Sequence, residues 1–224
     1  NTTGQYNTGI GYSSLASNTT ASNNTALGYS ALATNTTGAS NTAVGKDALL
    51  ANTTGAENVA VGALALSANT TSGSNVAVGV ESLQDNTGTS NVAVGTGSLK
   101  ENTTADDNTA VGRFALRENT TGASNTAVGR DALLNNTTAS NNVAIGKNAL
   151  GANNASSNVA VGAEAAAAST GVGNTAVGKS ALAAANTSNY NTAIGNSALA
   201  SNTSGSTNVA VGRNALNANT TGSV

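Results

Sequence analysis

The side chains that could carry out chemistry are few in this chain. It contains no histidine and no cysteine, and its 8 lysines and arginines and 10 aspartates and glutamates are scattered along 224 residues. A histidine-based triad, a thiolate nucleophile and a cysteine or histidine metal site are therefore excluded. Because catalysis requires titratable or nucleophilic groups that converge, we expect no catalytic residue, no cofactor and no metal site.

The carboxylates offer little more. Asp106 and Asp107 adjoin and could contact a cation, but the other ligands of a calcium-binding repeat are missing. We therefore interpret the pair as part of a polar turn. Four other acids occupy one variable position of the repeat described below, at most one per copy, and we interpret them as solvated turn residues: Asp47, Glu81, Asp131 and Glu164.

Cations recur at another fixed position. Arg113, Arg130 and Lys147 are spaced by 17 residues, and the same repeat position holds Lys46, Lys179 and Arg213. Such a line of positive charge could contact a sugar acid or a phosphate. Because Asp131 and Glu118 dilute its field, we interpret it as a solvated edge.

Two tyrosines, Tyr12 and Tyr29, also lie 17 residues apart at that position. Stacked aromatic rings can bind glycans, and they can equally cover the edge of a fold. Together with Arg113, Arg130 and Lys147, these tyrosines are the candidates for a surface binding site.

The elements that position these side chains are copies of one repeat. The pattern Asn, Thr or Val, Ala, a branched aliphatic residue, Gly returns every 16 or 17 residues. A fixed short period is typical of proteins whose units bury apolar residues only by stacking on their neighbours. We therefore expect one repeat domain spanning residues 1–224. The thirteen copies begin at Asn7, Asn24, Asn41, Asn58, Asn75, Asn91, Asn108, Asn125, Asn142, Asn158, Asn174, Asn191 and Asn208.

Comparison of the copies separates conserved from variable positions when each copy is numbered from its Asn as position 0. Position 4 is always Gly, position 2 is Ala except at Gly9, and position 8 is Leu except at Ala166. Helical repeats need about 30 residues or more, and Gly, Asn and Thr disfavour helix. The sequence therefore predicts an all-β fold, a parallel β-solenoid (β-roll) of thirteen rungs of 16–17 residues.

Asparagine and glycine have structural roles in such a stack. The same side chain recurs one strand spacing above itself, so Asn amides can form hydrogen-bonded ladders that satisfy buried backbone groups. Gly at position 4 supplies a positive φ or a close backbone approach. The predicted ladder residues are Asn24, Asn41, Asn58, Asn75, Asn91, Asn108, Asn125 and Asn142, with Gly28, Gly45, Gly62 and Gly79.

Both faces of the predicted strand are apolar. Ala at position 2 and the aliphatic residue at position 3 point in opposite directions, so one face is the interior of the coil and the other requires a partner. Our hypothesis is lateral oligomerisation through the Ala face, whose small side chains permit close approach.

Threonine columns suggest an alternative function. A regular Thr array on a flat solenoid face is what an ice-binding surface requires, but this column is framed by Asn and Gly, which favours turn chemistry. The column at position 12 contains Thr19, Thr36, Thr53, Thr70, Thr87, Thr103, Thr120 and Thr137.

The motif Asn-Val-Ala-Val-Gly at Asn58 to Gly62, and its variant at Asn142 to Gly146, resembles the head repeats of trimeric autotransporter adhesins. Similar repeats occur in phage tail fibres. The resemblance implies a left-handed parallel β-roll, a homotrimer, exposure on a cell surface or virion fibre, and attachment to a host-surface glycan or protein. It therefore predicts a structural or adhesive extracellular fibre segment.

Composition restricts partners and origin. The net charge of −2 provides no field for nucleic acid, and no apolar stretch is long enough for membrane insertion. Many Asn-Thr-Thr triplets are formal glycosylation acceptors, yet glycans on rungs about 4.8 Å apart would collide. We therefore expect a bacterial or viral protein, and the repeats at both ends suggest a segment of a longer fibrous one.

Two local departures from the repeat have expected consequences. The 16-residue copies lose one residue in a turn, as in Asn86 to Ser90, and should keep the strand register. Between Ala163 and Ala168, alanine replaces the usual Leu at Ala166, so we predict weaker packing in that rung.

Overall fold

The computed structural model describes residues 1–223, which contain thirteen three-residue β-strands, one per repeat, and no helix. None of these residues forms a helix able to span a membrane. The strands are β1 (Thr8–Ile10), β2 (Thr25–Leu27), β3 (Thr42–Val44), β4 (Val59–Val61), β5 (Val76–Val78), β6 (Val92–Val94), β7 (Thr109–Val111), β8 (Thr126–Val128), β9 (Val143–Ile145), β10 (Val159–Val161), β11 (Thr175–Val177), β12 (Thr192–Ile194) and β13 (Val209–Val211).

The chain forms two compact units, Asn1–Ala110 and Val111–Val224. In the first unit β1 to β6 pair in chain order, and in the second β8 to β13 do the same, all in parallel. Equivalent repeat positions face each other, as Ala43 faces Ala60. The predicted fold class, a parallel β-solenoid, is confirmed.

The core of each unit is a column of alanines opposite a column of leucines. Ala43 and Ala60 at position 2, and Leu49 and Leu66 at position 8, are completely buried. A methyl group added at Gly9, the glycine that replaces Ala at position 2, would lie 3.5 Å from Leu15 Cδ1. The two columns therefore pack against each other across the coil, and the residues that vary least between copies fill its interior.

The expectation that the Ala column forms a subunit interface is wrong, because that column lies inside the coil. Side chains alternate along a strand, so positions 1 and 3 point outward when position 2 points inward. The aliphatic residue at position 3 is 37% exposed at Val94, 41% at Ile145 and 40% at Ile194. The apolar face that lacks a partner is therefore formed by positions 1 and 3.

Glycine at position 4 is required for two reasons. Gly45 has φ +135, and a Cβ built on it would lie 2.6 Å from the carbonyl oxygen of Gly62 in the next rung. Real Cβ atoms do not approach oxygen so closely, and L-residues rarely adopt that φ. The backbones of successive rungs can therefore approach each other at this turn only if position 4 is glycine.

Leucine at position 8 adopts an unusual backbone conformation. Leu49 has φ 51 and Leu66 has φ 52, in the left-handed region that costs an L-residue about 1–2 kcal/mol. Each side chain is nevertheless fully buried, which contributes about 1.5–3 kcal/mol. The free energy gained by burying the leucine side chain thus offsets the cost of its left-handed backbone conformation.

Candidate functional site

The first ladder is formed by Asn at position 0. Asn41 Oδ1 accepts the backbone N–H of Asn58 at 3.0 Å, and Asn41 Nδ2 donates to the Gly55 carbonyl at 2.8 Å. The contact between Oδ1 and the next N–H repeats from Asn7 to Asn108 in the first unit and from Asn125 to Asn208 in the second. Because these amides are buried almost throughout, each contact satisfies a backbone donor that water cannot reach.

A second ladder is formed by Asn at position 11. Asn52 Nδ2 donates to Asn35 Oδ1 at 3.0 Å and to the Gly55 carbonyl at 2.9 Å. The Gly55 carbonyl therefore accepts hydrogen bonds from Asn41 and Asn52 together. We call this arrangement, two Asn amides on the position-14 carbonyl of the same rung, the amide clamp. It recurs at Ser72 and, in the second unit, at Ala139.

The short rungs interrupt the second ladder. Asn86 and Asn153 donate to carbonyls only two residues ahead, at 2.8 and 2.7 Å. The preceding amides then lose their donors, and Asn69 Oδ1 and Asn136 Oδ1 are buried with no hydrogen-bond partner. Strand pairing is unaffected, as shown by Val76 opposite Val92. The missing residue is thus accommodated in the turn, as predicted, but it leaves unpaired polar atoms there.

The Thr column at position 12 is part of the turn stack. Thr36 Oγ1 donates to the Thr53 carbonyl at 3.0 Å, and Thr53 Oγ1 donates to the Thr70 carbonyl at 3.1 Å. Thr19, Thr87 and Thr120 make the equivalent bond. These hydroxyl protons are committed to neighbouring rungs, which supports the turn interpretation.

The face formed by positions 1 and 3 is the main outward apolar surface of each unit. We call it the sheet face. Its aliphatic members include Ile10, Val94, Ile145 and Val211, all exposed, with Thr or Val beside them at position 1. The sequence contains one indication that position 1 faces outward. Thr, which tolerates water, replaces Val there in seven copies, whereas position 2 is always Ala or Gly.

Position 5 forms an edge next to the sheet face. In the second unit the Asp131 N–H donates to the Arg113 carbonyl at 3.1 Å, and the Asn148 N–H donates to the Arg130 carbonyl at 2.9 Å. These bonds stack Arg113, Arg130 and Lys147 on successive rungs, and all three are exposed. The five cations at this position in the second unit, called the basic row below, are Arg113, Arg130, Lys147, Lys179 and Arg213.

Contacts within the basic row leave most of its charge accessible. Arg130 Nε lies 3.3 Å from Asp131 Oδ2, with the arginine side chain 51% exposed. The Arg113 guanidinium lies over the Phe114 ring at 4.2 Å, and Arg117 lies over the same ring at 5.1 Å. Such cation–π contacts orient a guanidinium without neutralising it.

Tyr12 and Tyr29 stack on the position-5 edge of the first unit. Their ring centroids are 5.3 Å apart with an interplanar angle of 14°, and both rings are exposed. The structure thus brings together the two aromatic candidates on one small platform, open to solvent, with Lys46 at the same position one rung further along.

The acids lie in turns. Asp47, Glu81, Asp131 and Glu164 all have positive φ at position 6. Glu81 is not simply solvated as predicted, because its Oε2 lies 2.7 Å from Lys100 Nζ in an ion pair. Asp106 Oδ1 accepts both the N–H and the hydroxyl of Thr89, at 2.6 and 3.1 Å, as a turn carboxylate does. Among residues 1–223, no three metal-ligating side chains come together and no pocket is found.

No protein-family model matches the chain, and a search of curated proteins finds no match. The likeness to adhesin head repeats therefore rests on the Asn58 to Gly62 motif and its copies.

Proposed function

We propose that this chain is a structural and adhesive segment of an extracellular fibre of bacterial or viral origin, and that copies associate laterally through the sheet face. The observation that carries the proposal is the exposed aliphatic column of that face, exemplified in internal rungs by Val94, Val111, Ile145 and Ile194. Contiguous exposed apolar surface in a protein marks an interaction site.

The interior of each unit favours a structural role. Its polar groups are used to join one rung to the next, as in the amide clamp of Asn41 and Asn52 on Gly55. Stacked hydrogen bonds of this kind make a coil that extends by repetition. Function in such a molecule is expressed on outward surfaces, where the side chains vary between copies.

Three copies and a left-handed coil are the forms that the adhesin resemblance implies. A cyclic trimer would bring the sheet face of each copy to a common axis and remove its aliphatic side chains from water. Attachment would then involve the residues that remain outside, including the position-5 edge.

Light scattering coupled to size exclusion tests the assembly. We expect a mass near three times 21.4 kDa. Val94→Lys with Ile145→Lys should yield monomers, because it places two charges on the sheet face. The single chain should still fold, since these sites are 37% and 41% exposed and lysine can extend into water there. The matched control, Thr37→Lys with Thr54→Lys in exposed turns, should keep the mass. A wild-type monomer at high concentration would contradict the proposal.

Ice binding is the competing function. The bonds from Thr36 and Thr53 to neighbouring carbonyls weaken it, because the position-12 hydroxyls do not form a free array on a flat strand. Thermal hysteresis measured on the wild-type chain distinguishes the two functions: the fibre proposal expects none.

A further inference from the structure

The two units differ sharply in charge. The first unit has two lysines, no arginine and seven acids, a formal net charge of −5, whereas the second has six lysines and arginines and three acids, +3. The net charge of the whole chain, −2, hides this separation. A basic surface is therefore present in the second unit, although the total charge argues against one.

The positive charge of the second unit is concentrated in the basic row. Position 5 remains stacked along that unit, because the Glu164 N–H donates to the Lys147 carbonyl at 2.9 Å and the Ser197 N–H donates to the Lys179 carbonyl at 3.0 Å. All five cations are exposed. Five of the unit's six positive charges therefore lie along one line.

Acids near the row neutralise little of it. Asp131 pairs with Arg130. Glu164 lies next to Lys147, whose carbonyl accepts its N–H, and Glu118 lies between Arg113 and Arg130 in the sequence, but within residues 111–223 neither carboxylate forms an ion pair with the row. Lys147, Lys179 and Arg213 are followed at position 6 by Asn148, Ser180 and Asn214. By contrast, Lys46 in the first unit lies 3.7 Å from Asp47. Within residues 111–223, Arg130 is the one member of the row in an ion pair.

We propose that the basic row binds a linear anionic polysaccharide, one that has a carboxylate or sulfate on each sugar or disaccharide. This inference rests on the adhesive part of the proposed function and names its ligand class. Arginine and lysine recognise sulfate and carboxylate through charge-assisted hydrogen bonds. A row of such donors stacked on one edge matches an extended chain that carries an anion at each sugar or disaccharide.

The arrangement of the row favours an extended polysaccharide over nucleic acid. Rungs repeat at about 4.8 Å, so Lys147 and Lys179, two rungs apart, are separated by roughly 9.6 Å along one edge. A DNA strand carries one charge per about 3.4 Å of helix axis, and its phosphates wind around that axis instead of following one edge. The Phe114 ring beside the row lies against Arg113 and Arg117, so a base that stacked on it would compete with those guanidinium groups.

Size-defined heparin oligosaccharides, titrated into the full chain at increasing NaCl, test the proposal. If all five cations are engaged, log K should fall with log salt with a slope of about −3 to −4. Lys147→Gln with Lys179→Gln should weaken binding tenfold or more and reduce the slope by about 1.5. The fold tolerates uncharged residues there, because Ala163 and Asn196 occupy position 5 in other rungs.

Lys46→Gln with Lys100→Gln is the matched control, since it removes two lysine charges from the first unit, where both lysines are in ion pairs, with Asp47 and Glu81. Its affinity should equal that of the wild type, and circular dichroism and solution mass should be the same for all three proteins. A DNA duplex of the same charge should bind more weakly than heparin.

Three results would overturn the proposal: no heparin binding at low salt, equal losses in both double variants, or a duplex that binds as tightly as heparin. The last result would assign the row to nucleic acid. These outcomes do not depend on the oligomeric state. If the wild-type chain were a monomer that bound heparin through Lys147 and Lys179, the trimer proposal would be wrong and the heparin proposal would stand.

Discussion

The side-chain amide of Asn41 makes two hydrogen bonds, one to Asn58 in the next rung through its oxygen and one to Gly55 in its own rung through its nitrogen. Its Oδ1 accepts the Asn58 backbone N–H at 3.0 Å, and its Nδ2 donates to the Gly55 carbonyl at 2.8 Å. A single side chain thus joins successive rungs and closes one of them. Asparagine suits this position because its amide has an acceptor and a donor on one short stem.

Replacing that amide should destabilise the coil. Asn41→Ala leaves the buried Asn58 N–H without its acceptor, and an unsatisfied buried group costs about 1–3 kcal/mol. We expect a loss of free energy of unfolding in that range, measured by chemical denaturation. Ser40→Ala, at the exposed neighbouring residue, is the control and should be neutral within about 0.5 kcal/mol. If the two variants had equal free energies of unfolding, the ladder would not contribute to stability.

Gly45→Ala and Gly212→Ala separate the two reasons for glycine at position 4. Both have positive φ, +135 and +122, but the added Cβ would lie 2.6 Å from the Gly62 carbonyl oxygen at the first site and meets nothing within 4 Å at the second. We expect a backbone cost of about 1–3 kcal/mol for both and a larger total loss at Gly45, measured by thermal unfolding. A larger loss at Gly212 would show that the close approach of rungs does not matter.

Lengthening a short rung should repair its ladder. Insertion of a threonine after Thr87 converts the turn to the 17-residue form and should direct Asn86 Nδ2 toward Asn69 Oδ1, which is buried and unpaired. We expect a gain of about 1 kcal/mol, seen as slower hydrogen exchange around Asn69 and Asn86. The same insertion after Thr53, in a rung of normal length, should instead accelerate exchange; a gain there would contradict the explanation.

Packing around Ala166 should be weaker than in neighbouring rungs. Ala166 is 1% exposed and has φ 47, as the leucines at position 8 do, but its side chain is three carbons shorter. We expect faster hydrogen exchange there than at Leu150, and Ala166→Leu should slow it. Leu150→Ala should reproduce the defect and cost about 2–5 kcal/mol. Exchange at Ala166 as slow as at Leu150 would mean that the rung has closed around the smaller residue.

Much of the polar framework was predictable from the repeat. Asn at position 0 and Gly at position 4 recur in every copy, and in a stacked coil an invariant amide has few uses besides a ladder. The alignment of Tyr12 with Tyr29 and of Arg113 with Arg130 followed from the same period. The unpaired Asn69 Oδ1 was not predictable. It arises because, in the 16-residue rung, Asn86 Nδ2 donates to the Gly88 carbonyl and not to Asn69.

By itself the sequence determined the period, the β class and the residues that stack on one another, since each follows from a repeat too short for helices. Only the tertiary structure decided which apolar column is the interior. The sequence holds one indication, the Thr at position 1 in seven copies, but apolar columns lie on both faces of the strand, so alternation alone did not distinguish them. The choice comes from closure of the coil, where Ala43 and Leu49 are both completely buried, so that Val44 and its equivalents face outward.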